Sequence, residues 1–168
     1  MGVRLSVVKI KEKVMDYRDF EEALGEGDLV FVQDLNSYLS DNRCQATYEK
    51  KKTGLVGSYK YGKNKKALVY LQLNKRGLFV RIYGENLSKY SELLDLLPAQ
   101  MVEEIDGASK CGRLDGSGCG LKCLGYDFVI DKRHYQKCRY NCFEFLLTPK
   151  TRPYIRAFVE SELRSRVG

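Results

Sequence analysis

The chain has 168 residues, 43% apolar and 30% charged, which suits one domain with a real core, or one domain with a small appendage. No run reaches the roughly 18 apolar residues of a membrane span, and the composition excludes long disorder. The formal charge of +7 is unevenly spread: residues 43–81 carry eleven basic side chains and one acidic, while 1–42 and 82–110 each come to −4. A field of one sign attracts anions such as nucleic-acid phosphates, nucleotides or acidic proteins, although strand lysines also serve simply to guard sheet edges.

In chain order, residues 3–10 (VRLSVVKI) are rich in β-branched side chains and read as a strand. The first residues lack a small-residue cleavage site and the full context of a myristoylation signal, so a cytoplasmic protein is expected. Residues 16–24 (DYRDFEEAL) predict a short helix ended by Gly25. Residues 28–41 predict a second, with Phe31, Leu35, Tyr38 and Leu39 on one face.

The hydrophobic period then falls to two. QATYEKK, LVGSYKY, ALVYLQLN and GLFVRIYG read as four strands joined by KTG, GKNK and KRG, turns short enough for hairpins. In the third strand Val69, Leu71 and Leu73 share a face, opposite Leu68, Tyr70 and Gln72. In the fourth, Leu78, Val80 and Ile82 share a face, opposite Phe79, Arg81 and Tyr83. The expected antiparallel meander spans 45–83, with one core face and one face of mixed aromatic and basic groups. Ser88 is placed as the N-cap of a helix carrying Tyr90, Leu93, Leu94 and Leu97, broken at Pro98 and resumed through Ile105. GYDFVI and HYQKC form a hairpin that CFEFLL continues, and Pro149 or Pro153 opens a last helix with Ile155, Phe158, Val159 and Leu163 as its packing face. The expected fold is α+β, with residues 1–107 as an α+β domain and 108–168 as a cysteine-rich hairpin module and C-terminal helix docked as one unit.

Five of the six cysteines lie in one glycine-broken stretch, spaced Cys111-x7-Cys119-x3-Cys123-x14-Cys138-x3-Cys142. Two pairs separated by a hairpin-sized insert are how small zinc sites are assembled, and in a reducing compartment clustered thiols are more often ligands than disulfides. The x7 gap lies outside the usual finger spacing, and five thiols exceed a tetrahedral set. Cys119, Cys123 and Cys138 are the first three ligands expected, with Cys111, Cys142 or His134 as the fourth. Zinc is the expected ion, with an iron–sulfur cluster as the alternative. Buried or redox thiols are the competing reading. Cys44 stands apart and is expected to be an ordinary core or surface thiol.

The stretch GLFVRIYGENLSKYSELLDLLPAQMVEEI, the cysteines with GYDFVIDKRHYQKCRYNCFEFLL, and the terminal PYIRAFVESEL together resemble a group of small cysteine-rich proteins from clostridia and related Firmicutes, over residues 29–164. That resemblance implies the architecture above and the four thiols Cys111, Cys119, Cys123 and Cys138. It leaves out Cys142 and implies no activity. The N-terminal half also resembles YdhG- and YjbR-like α/β domains in layout.

No catalytic set is assigned. His134 is the only histidine, and a Cys–His pair with Cys138, oriented by Asp127 or Asp131, is set against a plain surface histidine. DGSGCG lacks the lysine and following helix of a phosphate loop, and no CxxC is present. The functional expectation is a non-enzymatic binding or regulatory protein with a structural zinc site. Its anionic contact, nucleic acid among the candidates, would be made by Lys60, Lys65, Lys66, Tyr70, Phe79, Arg81 and Tyr83. A small-molecule pocket between meander and helices, or a thiol-based redox or metal sensor, are the alternatives.

Overall fold

The computed structural model describes residues 14–120 and 123–168; the strand expected at 3–10 lies outside the described residues. Helix α1 (Tyr17–Glu22) opens on a capping box in which Asp16 and Asp19 each accept the other's backbone N–H. Helix α2 (Glu26–Asp41) follows Gly25 and buries Phe31, Val32, Leu35 and Leu39. Strands β1 (Gln45–Lys51), β2 (Gly54–Tyr61), β3 (Lys66–Asn74) and β4 (Gly77–Ile82) pair antiparallel in chain order, as the alternation predicts. A 3-10 turn at Leu87–Tyr90 precedes α3 (Ser91–Asp95), so Ser88 lies inside that turn and caps nothing. Pro98 stands at the N-cap of α4 (Ala99–Gly107), where its missing N–H and fixed φ cost little. The hairpin β5 (Tyr126–Ile130) and β6 (Arg133–Lys137) forms its own two-stranded sheet. Strand β7 (Glu144–Leu146) pairs antiparallel with β4, and α5 (Arg152–Val167), with Pro153 in its first turn, closes the chain.

The fold is α+β, with a main sheet of five strands rather than four, in the order β1-β2-β3-β4-β7. Register sets its two faces. Val69 lies opposite Ile82, Leu71 opposite Val80, and Phe145 also opposite Val80. These side chains are buried together with Phe20, Phe31, Leu35, Met101, Ile105, Ile155 and Phe158 from the helices and Phe128, Tyr135 and Phe143 from the hairpin region. Residues on both sides of position 107 therefore share one core. Each fully buried side chain of this size contributes about 1.5–3 kcal/mol of transfer free energy. A bulge makes Leu68 the extra residue between the pairs Tyr59–Val69 and Lys60–Ala67, and Leu68 is buried in the core cluster although strict alternation assigns it to the other face.

Helix α5 is anchored by a buried ion pair. The Glu162 side chain has no solvent exposure and accepts from Arg166 Nε at 2.8 Å, Glu85 N–H at 3.0 Å, Asn86 N–H at 3.2 Å, Asn86 Nδ2 at 3.2 Å and the Tyr90 hydroxyl. Arg166 in turn donates to the carbonyls of Ala67 at 2.9 Å and Tyr83 at 2.7 Å, where β3 begins and just past the end of β4. Burial pushes the Glu162 carboxyl up, but donors from Tyr90, Arg166 and Glu85 outweigh it and hold the group below the ordinary 4.5. Removal of the carboxylate in Glu162→Ala leaves Arg166 buried without its partner and is expected to cost about 3–5 kcal/mol in urea unfolding. Because the folded-state value is depressed, the carboxylate's contribution is present above 4.5 and is lost as pH falls through the lower folded value. The stability gap between the native protein and Glu162→Gln should therefore narrow on acidification below 4.5.

The β5–β6 hairpin turns on two residues, Asp131 and Lys132, both left-handed with φ of +46° and +67°. Two such residues make the turn that matches strand twist, usually with glycine in the second place. Asp131 N–H is held by Asp95 Oδ1 at 2.8 Å, while Lys132 carries the Cβ penalty. Lys132→Gly should raise unfolding stability by about 0.5–1 kcal/mol, measured by urea titration.

Candidate functional site

The candidate metal ligands Cys111, Cys119 and Cys123 lie in the segment between α4 and β5, and Cys138 directly follows β6. The backbone segments do meet: Cys111 N–H donates to Gln136 O at 3.2 Å and Cys138 N–H to Ser109 O at 2.8 Å, so residues 109–111 run beside the end of β6. Cys111 is buried, its Sγ packed against the bare Cα of Gly125, whose φ of +64° and lack of space for a Cβ both require glycine. Cys142 is buried within the core cluster, next in sequence to Phe143. Cys119 is exposed, and Cys123 and Cys138 are half-buried. Among the described residues no three of His, Cys, Asp or Glu are grouped so as to hold a metal ion. Burial pushes the Cys142 thiol up, and that of Cys44 up to about 11, so both are poor nucleophiles at neutral pH.

His134, weighed as a fourth ligand and as a base, projects from the outer face of the β5–β6 hairpin with its side chain 57% exposed. Its Nε2 lies 2.5 Å from Asp127 Oδ1, and Gln136 Nε2 donates to Asp127 Oδ2 at 3.1 Å. The hydrogen bonds from His134 and Gln136 hold the Asp127 carboxyl below its ordinary range. The trio is a cross-strand polar ladder of neighbouring positions on β5 and β6, and it satisfies itself.

The interior between meander and helices, the place for a tyrosine-lined pocket, is filled by Tyr59, Phe20, Phe158 and their neighbours at 0–1% exposure. A cleft of about 470 Å³ lies instead between α3–α4 and the hairpin, lined by Val102, Glu103, Ile130, Arg133 and Tyr135 among others. Arg133 is already engaged there by Asp106 at 3.0 and 3.1 Å.

The sheet's second face is the remaining candidate. Tyr70 lies opposite Arg81, and Gln72 opposite Phe79. All four are half-buried, and neither Tyr70 nor Phe79 packs into the core cluster. The helices contribute their buried side chains to the other face, so among the described residues no helix covers this one. Cations lie over its rings: Arg81 is 4.8 Å and Lys51 5.8 Å from the Tyr70 ring centroid, and Arg76 is 4.9 Å from that of Phe79. Arg81 Nε donates to Glu144 Oε2 at 2.7 Å across the β4–β7 pairing. Lys51, Lys52, Lys75 and Arg76 lie at the β1–β2 and β3–β4 turns at one end of the meander; Lys63, Lys65 and Lys66 lie at the β2–β3 turn at the other. Lys60, Lys65 and Lys66 are exposed, Lys66 lying 4.0 Å from Glu85.

Of the residues expected at this face, Tyr70, Phe79 and Arg81 are brought together and the lysines border them. Tyr83 does not join them: it is 7% exposed, lies under the Arg139 guanidinium, and its hydroxyl accepts from Arg81 Nη1 at 3.3 Å. It positions Arg81 and offers no ring to a ligand. Sequence reasoning misses Lys51, Arg76 and Glu144. Arg76 is legible as the turn residue three places before Phe79 in KRG, whereas Glu144 joins the face only because β7 docks on β4. Compared with protein-family models, curated proteins and solved structures, the chain matches none.

The thiol geometry makes a graded expectation. Cys119→Ser should leave stability within about 0.5 kcal/mol of the native protein, because its side chain is in solvent. Cys142→Ser places a hydroxyl in the core and should cost about 1–3 kcal/mol. Thiol labelling under native conditions should reach Cys119 first and spare Cys111 and Cys142. If the cysteines close on an ion, Cys119→Ser should cost as much as Cys142→Ser, and elemental analysis should find one zinc or an iron cluster per chain.

Proposed function

We propose that the protein is a non-enzymatic nucleic-acid-binding module whose contact surface is the outer face of the five-stranded sheet. The observation that carries this reading is the aromatic and cationic face with no described helix over it, bordered at both ends by basic turns. A sheet face of this kind is normally buried under a second layer of helices, or else it is polar. Half-buried rings beside guanidinium groups, on a face with no described helix over it, fit a ligand with flat π surfaces and negative charge. Glu144 neutralises Arg81 and Glu49 neutralises Lys51, so the positive field of this region comes from the other turn cations, Lys52, Lys75 and Arg76 at one end and Lys63 and Lys65 at the other. The lysines of the two turn clusters then supply phosphate contacts along a strand length of roughly 25–30 Å.

The test is the salt dependence of binding to a labelled oligonucleotide, titrated from roughly 50 to 200 mM monovalent salt. Affinity should fall steeply with salt, and Lys65→Gln/Lys66→Gln should lower the slope of log K against log salt by about 0.7 for each phosphate that the variant leaves without a lysine. Melting temperature should be unchanged, since both side chains are in solvent. An absence of binding at the lowest salt would sink the proposal. So would displacement of the oligonucleotide by polyglutamate at equal charge, which would mark an acidic protein as the partner.

A further inference from the structure

Resting on the nucleic-acid reading, we infer that the open sheet face takes single strands, with two unpaired bases stacked on Tyr70 and Phe79. The two rings sit on a cross-strand diagonal, since Tyr70 faces Arg81 and Phe79 is two residues before Arg81 on β4. Diagonal positions on one face are spaced about 7–8 Å apart. Successive bases of a duplex strand are stacked about 3.4 Å apart, with their faces sealed against one another. Two rings at the wider spacing can each meet a base face only if the bases are splayed, which an unpaired strand allows and a duplex does not. Duplex reading would also need a helix or ribbon that projects into a groove. This face is the broad side of a sheet with no described helix on it.

The cations over the rings fit the same ligand. The Arg81 guanidinium is fixed from one side by Glu144 and from another by the Tyr83 hydroxyl, which presets a second flat cationic surface beside Tyr70. Arg76, from the β3–β4 turn, lies over the Phe79 ring. Base stacking on a ring backed by a guanidinium is tolerant of sequence, because every base has a π face. The site is therefore one for single strands of any sequence, with a short contact centred on two nucleotides.

The test is fluorescence anisotropy with a labelled single strand of about 12 nucleotides, as DNA and as RNA, beside the same sequence as a duplex and an abasic strand of equal charge. The native protein should bind the single strands at least tenfold more tightly than either the duplex or the abasic strand. Tyr70→Leu and Phe79→Leu, which keep apolar bulk on the face, should each weaken single-strand binding about 5- to 100-fold and leave duplex binding unchanged. Tyr70→Phe and Phe79→Tyr should retain it. Equal binding of single strand, duplex and abasic strand, with the leucine variants silent, would overturn this inference and leave the nucleic-acid reading standing. No binding of any of these probes at low salt would overturn both.

Discussion

The buried pair of Glu162 and Arg166 decides which side of the sheet is dry. An ion pair taken out of water is unfavourable unless nearly every lone pair and proton is engaged. Here the carboxylate takes donors from Arg166, Glu85, Asn86 and Tyr90, and the guanidinium reaches the carbonyls of Ala67 and Tyr83. Those carbonyls belong to the start of β3 and the exit from β4. Helix α5 is thus tied to one end of the neighbouring strands β3 and β4, with Ile155, Phe158 and Val159 in the shared core. The other helices fill in around it on the same side. The outer face is left without a described helix over it.

Strand β7 links that outer face to the rest of the fold. It adds three residues to the β4 edge, and in doing so sets Glu144 opposite Arg81. A free arginine on a sheet surface would lose rotamer freedom on meeting a ligand; one already held by a carboxylate and a tyrosine hydroxyl has lost it in folding. The same carboxylate removes much of Arg81's net charge. Arg81 is then better suited to be a flat surface beside Tyr70 than a phosphate clamp, and under the proposed function phosphate contacts would fall to the lysines at the turns.

Much of the architecture is legible in the sequence because it is local. Period-two alternation marks β1 to β4 and their faces, proline and glycine mark helix ends, and the short turns force antiparallel neighbours. What escapes depends on packing between distant segments. CFEFLL reads as a continuation of the hairpin, yet Phe145 belongs opposite Val80 in the main sheet, because the core there needs a further apolar strand to close it. Tyr83 looks like a ring on the open face from its parity alone. Its burial depends on Arg139, from the turn after β6, which no alternation in the β4 segment can reveal. The bulge at Leu68 is similarly silent in sequence, since Leu68 and Val69 read as one apolar run.

The cysteine segment meets itself in the backbone, while its thiols range from buried to exposed. The β5–β6 hairpin does return the chain so that residues 109–111 lie beside 136–138, which is the feature the spacing suggests. The thiols there differ in their surroundings. Cys111 turns inward onto Gly125, Cys142 enters the core, and Cys119 stands in solvent on the glycine loop. Two of the five thiols therefore act as small apolar residues, in keeping with the high burial typical of free cysteine. The surrounding segment has a visible consequence that does not depend on sulfur chemistry. Through Phe143, Phe145 and Arg139 it fastens the C-terminal third to the sheet, supplies the fifth strand, and shapes the end of the open face at Tyr83.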